Sequence, residues 1–248
     1  MTATQCDPHE WQLRVQLAAT FRMIAQLDWH EGVANHFSVA LSEDGQRFLL
    51  NPKWRHFGGL RASDLLALDA RDTDVMQRPD APDPTAWSIH GTLHARLPHL
   101  RCLLHLHTPY ATALSCLADP RIKAVDQTTA RFHQRVVIDH HYSGMADDAD
   151  EGLRLSRLLA QQPILLMGNH GVLVAGHSIP EAFDTLYHLE RACRTLMLAY
   201  ATGQPLRELP DDIAEQTARD WENFTDSGFA HFEETRRILR EQSTDYES

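Results

Sequence analysis

His105 and His107 stand one residue apart at the end of the apolar run "RCLLHLH", and His170 lies far downstream in "GNHG". On a strand, side chains alternate between faces, so two histidines at i and i+2 project the same way while the intervening leucine projects the other. Two neutral imidazoles on one face can share a cation, and a third would leave a coordination position open for water or substrate, as in catalytic zinc sites. His170 is the candidate for that third ligand, because its flanking glycines permit a tight backbone path directly after the apolar segment "PILLM". A second pair, His90 and His94, has the i, i+4 spacing of helical zinc-protease motifs, but Gly91 stands where such enzymes need a glutamate. Hydrolysis is therefore excluded there, and the pair is assigned to packing, hydrogen bonding or support of ligands. His140 and His141, beside Tyr142, stay open, and the remaining histidines are read as ordinary packing residues.

The elements that must position these groups follow from periodicity and punctuation. Asp7 and Pro8 suit the cap and first turn of a helix in which Leu13, Leu17, Phe21 and Ile24 recur at helical spacing, ending near Asp28. "VANHFSVAL" and "RFLLN" read as strands joined through Asp44-Gly45, a hairpin signal. A short helix "ASDLLALD" comes next, then the loop "QRPDAPDP", a helix opened by Pro84 and running to about Leu97, and the strand carrying His105 and His107. Beyond it come a helix from Pro109, a strand "RVVID", an acidic helix over 147–160, strands "PILLM" and "VLVAG", a helix from Pro180 to about Tyr200, and one from about Asp211 to Arg240. Helices and strands interleave without internal repeats, so the chain is read as one domain over 1–248, with 206–248 a helical C-terminal extension.

Composition narrows the function classes. The 248 residues are 43% hydrophobic and carry a formal net charge of −11, which is enough for a sizeable core and gives no basic stripe for nucleic acid or an anionic membrane. The start "MTATQCDPHEWQL" lacks the pattern of a signal peptide, and no apolar stretch is long enough to span a bilayer. Cys6, Cys102, Cys116 and Cys193 form no CxxC pair and suit reduced, buried thiols. The expectation is a soluble cytoplasmic protein whose partner is a small molecule.

"NHFS", "HLHTPYATALS" and "MGNHGVLVAG", in this order and spacing, make the chain resemble the class II aldolase/adducin family over about residues 10–205. The resemblance implies an α/β fold with a central mixed, largely antiparallel sheet sandwiched by helices, and a homotetramer with sites near subunit interfaces. In the sugar-phosphate aldolases and epimerases of this family, an HxH and a later histidine hold a divalent metal that stabilises an enediolate. The matching ligands are His105, His107 and His170, with Zn2+ expected and Mn2+ or Fe2+ as alternatives. The aldolase acid/base is a glutamate before tryptophan, and here Ala86 precedes Trp87. Alanine transfers no proton, and losing a general acid/base typically removes about 10²–10⁴ in rate. Candidate replacements are His90, one helical turn beyond Ala86, His133 and Tyr142. Asn35, Thr85 and Lys53 are candidate substrate contacts, although the glycine and serine pair that hold phosphate in aldolases are missing.

Three functions compete. The first is a metal-dependent carbon–carbon lyase, an aldolase or decarboxylase acting on a small hydroxy- or keto-acid or a sugar-derived substrate through an enolate. Decarboxylation tolerates Ala86 better, because carbon dioxide leaves without prior proton abstraction. The second is a non-haem iron oxygenase, although the usual iron triad includes a carboxylate. The third is a non-catalytic, adducin-like binding or scaffold protein, against which the retention of all three metal histidines argues.

Overall fold

The computed structural model describes residues 4, 6–142, 144, 149–160, 162–224 and 226–248. Helix α1 (Pro8–Gln26) starts where expected: the Asp7 carboxylate accepts from the backbone N–H groups of His9 and Glu10, and Pro8 occupies the first turn. Strands β1 (His36–Ala40) and β2 (Arg47–Leu50) pair antiparallel across the Asp44-Gly45 turn. Gly45 has φ +72, and a Cβ there would lie 2.0 Å from the His94 carbonyl oxygen, so glycine is needed both for the turn and for its seat against the following helix. The elements that follow are β3 (Leu66–Asp69), α2 (Pro84–Arg96), β4 (Cys102–Leu106), α3 (Pro109–Ser115), α4 (Gln127–Ala130), β5 (Val137–Asp139), α5 (Ala149–Leu159), β6 (Ile164–Met167), β7 (Gly171–Gly176), α6 (Ile179–Ala201), α7 (Asp211–Asn223) and α8 (Asp226–Gln242).

The sheet order is β3-β2-β1-β4-β7-β6-β5. Among the described strands β5 and β6 run parallel and the other neighbours antiparallel, so the sheet is mixed and largely antiparallel. Alternation divides the core into two layers. Phe37, Val39, Leu104, Leu106, Val172 and Val174 join residues of α1, α6 and α8 on one face. Leu103, Leu165, Leu173 and Ala175 join Ile89 and Leu93 of α2 and Leu155 and Leu159 of α5 on the other. The result is the expected three-layer α/β/α arrangement. Among the described residues, no helix is long and apolar enough to cross a membrane.

Two expectations need correction. "ASDLLALD" is not a helix: a single tight turn, Ala62–Asp64, leads into β3, which pairs with the open edge of β2 in the register Leu66↔Leu50 to Asp69↔Arg47. The free ladder of an edge strand outweighs the helical propensity of a leucine-rich octet. The long terminal helix is two, with Phe224 as the C-cap of α7. Ala214 packs into a small cluster with Ala124 and Ala130, whereas Phe232 and Leu239 of α8 enter the main core, and one straight rod would not reach both. The acidic helix is described from Ala149, and the part of its expected span before that residue lies outside the described residues.

Candidate metal centre

β4 and the β6–β7 turn bring the three histidines together. Their ring centroids are 4.7–5.1 Å apart, and one ligand nitrogen of each lies within 4.8 Å of the other two. The two partners of β4 fix this arrangement. β7 pairs His105 with Leu173 and β1 pairs it with His36. At the turn, Asn169 takes φ 56, and its N–H donates to the Ser115 carbonyl while Gly168 N–H donates to the Asp139 carbonyl at 2.8 Å. A Cβ on Gly171 would lie 2.3 Å from the Leu106 oxygen and 2.8 Å from the His107 ring, so "GNHG" needs its second glycine for close approach to β4. Downstream of His107, the buried Glu190 carboxylate of α6 accepts from Thr108 Oγ1 at 2.6 Å and from the N–H groups of Tyr110 and Ala111, anchoring the start of α3.

Hydrogen bonding selects the ring tautomers. His105 Nδ1 lies 3.0 Å from the Val172 carbonyl oxygen, which only accepts, so Nδ1 carries the proton and Nε2 keeps a free lone pair. His107 Nδ1 likewise donates to the Glu31 carboxylate. The two Nε2 atoms then face one another at 3.3 Å as acceptors. Two lone pairs repel at that distance unless something positive lies between them. For comparison, two nitrogens bound to tetrahedral zinc at about 2.0–2.1 Å are about 3.3–3.4 Å apart. Burial holds the His105 imidazole well below the usual pKa, and burial with the neighbouring His107 brings His170 down to about 4, so both are neutral near pH 7. The donor set therefore fits a divalent cation, with Glu31 and the Val172 carbonyl as the groups that orient the ligands.

Behind the triad lies a second set of imidazoles. His36 stacks beside His105 with ring centroids 4.8 Å apart. His36 Nδ1 meets His90 Nε2 at 2.7 Å, His90 Nδ1 meets Ser38 Oγ, and Ser38 Oγ meets His94 Nε2 at 2.7 Å. All four residues are buried, and His94 Nδ1 has no partner among the described residues. His36 and Ser38 project from β1 on the same face as His105, toward α2. The sequence reading assigned His36 to ordinary packing and overlooked Glu31, which no motif marks.

The other candidates are more scattered. Ala86 is buried in an apolar cluster with Phe48, Leu50, Leu68 and Val75. Asn35 is buried: its Oδ1 accepts from Glu31 N–H at 2.7 Å, steadying the loop that holds Glu31, and its Nδ2 has no partner among the described residues. Tyr142 is 54% exposed and stands edge-on to His170 at 6.2 Å, on the rim of the triad. Thr85 joins the Asp83 cap of α2. Lys53 lies over the exposed Trp54 ring at 4.9 Å, and His133 meets Gln134 after α4.

The family model of the Class II Aldolase and Adducin N-terminal domain matches residues 15–197, and the chain belongs to that family. A Pseudomonas aeruginosa protein assigned by name to aldolase class 2 is 32% identical over 84% of this chain and 80% of its own. The decarboxylase NovR of Streptomyces niveus is 26% identical over 85% of this chain and 78% of its own. A 4-hydroxy-3-prenylphenylpyruvate oxygenase/4-hydroxy-3-prenylbenzoate synthase of Streptomyces roseochromogenus is 26% identical over 85% of this chain and 76% of its own. The crystal structure of an aldolase II superfamily protein from Pseudomonas syringae superposes with a TM-score of 0.90 at 28% identity, covering 99% of this chain and 98% of that one.

Proposed function

We propose that the protein is a metal-dependent carbon–carbon lyase acting on a small hydroxy- or keto-acid or a sugar-derived substrate, with decarboxylation favoured over aldol cleavage. The observation that carries this reading is the pair of free Nε2 lone pairs of His105 and His107, 3.3 Å apart, with each Nδ1 already committed elsewhere. His105, His107 and His170 hold the cation, and an all-imidazole set favours zinc over the iron triad, which includes a carboxylate. A bound divalent cation supplies Lewis-acid stabilisation of the negative charge that develops on a substrate oxygen.

Decarboxylation breaks the carbon–carboxylate bond and leaves the electron pair on the substrate, so that step needs no base. This suits a chain in which Ala86 is packed in an apolar cluster. A proton must then return to carbon. Tyr142, on the rim of His170, is the candidate donor, with His36 beside His105 as the other group in reach. His90 acts through His36 as a positioning residue, since it is itself fully buried. Asn35 offers its Nδ2, which has no partner among the described residues, as a substrate contact. Thr85, Lys53 and His133 are weaker candidates for contact or proton transfer, given the partners they have. The reading includes one domain with 206–248 as its helical extension, supported by Phe232 and Leu239 in the shared core. It also includes a cytoplasmic homotetramer, for which the exposed Ile213, Phe224 and Phe229 offer apolar contact surface.

Elemental analysis of protein purified without added metal, paired with carbon dioxide release from a panel of small keto- and hydroxy-acids, tests the proposal. The expected result is zinc, with one equivalent and all turnover lost in His105→Ala. If His105→Ala changes neither metal content nor turnover, the scaffold reading replaces the lyase. The oxygenase-named relative supports one second reading: bound iron with oxygen consumption in the presence of a keto-acid would replace the lyase with an oxygenase.

A further inference from the structure

Across the sheet from α2, the helices α6 and α8 assemble another group of donors. Asp184 and His188 are one turn apart on α6 and so share a face, and His231 reaches them from α8. Asp184 Oδ1 lies 2.8 Å from His231 Nδ1 and 3.4 Å from His188 Nε2, and one ligand atom of each residue lies within 4.8 Å of the other two. Asp184 is buried at 3% exposure, while His188 and His231 keep 22% and 27% of their side chains open. The carboxylate is thus fixed and the imidazoles are accessible. Aromatic rings wall the group: Trp221 lies 5.2 Å from His188, and Tyr187 lies 4.6 Å from His231.

We propose that Asp184, His188 and His231 form a second divalent-cation site, independent of the first, whose role is to fasten the C-terminal helix α8 to α6. Two imidazoles and one carboxylate are a donor set for borderline divalent ions such as zinc, cobalt or nickel, with water completing the coordination from the open side. The carboxylate only accepts, so His231 Nδ1 carries a proton while it is paired with Asp184. Cation binding displaces that proton, and the ring becomes the Nε2–H tautomer with Nδ1 as ligand. Arg131 sets the strength of the site. Its Nη2 donates to Asp184 Oδ2 at 2.8 Å, which turns Oδ1 toward the histidines, yet its positive charge opposes a cation. The guanidinium is also held over the Trp221 ring, 4.9 Å from the centroid, so it stays in place when the ion binds. The second site is therefore weaker than the all-histidine one.

The test is Co2+ titration of the full chain, read by visible absorbance and by equilibrium dialysis, together with thermal melting in Zn2+. Wild type takes up two equivalents, and His231→Gln and His188→Gln each take up one, with affinity at the second site reduced at least tenfold. In a His105→Ala/His107→Ala background one equivalent remains, and zinc raises the melting temperature; adding His231→Gln removes both effects. Should the background variant not fold, the comparison of wild type with His231→Gln alone decides. A single equivalent in wild type that His231→Gln retains overturns the proposal and leaves Asp184 as a buried partner of Arg131. Loss confined to the His105 variant bears on the lyase reading, and loss confined to the His231 variant bears on this one, so the two fail separately.

Discussion

Two sets of histidines share one face of the sheet and differ in where their nitrogens point. In the triad, His105 and His107 each give Nδ1 to an acceptor that cannot donate, a carbonyl and a carboxylate, and this frees both Nε2 atoms on the same side. In the set behind it, His36 Nδ1, both nitrogens of His90 and His94 Nε2 are engaged with one another and with Ser38, so four of its six ring nitrogens are taken up internally. Residue type is the same in both, but burial is not: His36, His90 and His94 are buried, whereas in the triad only His105 is, with His107 and His170 partly open. What separates ligands from a buried network is the partner of the second ring nitrogen, because that partner decides which lone pair remains to bind a cation.

Acid is expected to have the largest effect and to act on both sets at once. Burial keeps His36, His90 and His105 well below the usual imidazole pKa, His94 at about 3 and His170 at about 4. In the unfolded chain these groups bind protons below about pH 6.5, while the folded protein stays neutral there. Stability present above pH 6.5 is therefore lost as pH falls toward 4, at up to about 1.4 kcal/mol per pH unit for each fully buried histidine. Urea unfolding of metal-stripped protein between pH 7 and 4 should show this loss. A flat profile would mean that the imidazoles are protonated in the fold.

His90→Ala separates the two sets. It strands His36 Nδ1 in the core, leaves Ser38 Oγ with His94 as its one remaining histidine partner and opens a void, at a cost of about 2–4 kcal/mol. The triad keeps its own partners, so metal stoichiometry should not change. Lower stability with full metal content, measured by denaturant unfolding and elemental analysis, supports the division. Loss of metal together with stability would make the two sets one cooperative unit.

The sequence made one set easier to read than the other. His105 and His107 were legible because strand alternation puts i and i+2 on one face without knowledge of the neighbouring strands, and the glycines around His170 mark a turn. Most elements were legible for the same reason, since their periodicity is local. His36 was not, because its importance comes from the register that sets β1 against β4, pairing His36 with His105, and register is a long-range property. Glu31 lies in an irregular loop, and nothing about its neighbours predicts that it meets His107. The β3 error has the same origin, because an edge strand is defined by the strand it joins. Asp184, His188 and His231 went unremarked because the third member comes from another helix.

Glu31→Gln gives the smallest effect and the sharpest test of the comparison. The glutamine keeps the shape and one oxygen but loses the charge that fixes the His107 tautomer, and loss of such an orienting partner typically costs 10–100-fold in metal affinity. Glu31 is 65% exposed, so folding stability should scarcely change, which is the reverse of His90→Ala. Zinc affinity measured by competition with a chelator, alongside the unfolding midpoint, gives both readouts. If affinity is unchanged, the Nδ1 partner does not control ligation. The triad would then differ from the buried network only by its position at the strand end, where solvent reaches it.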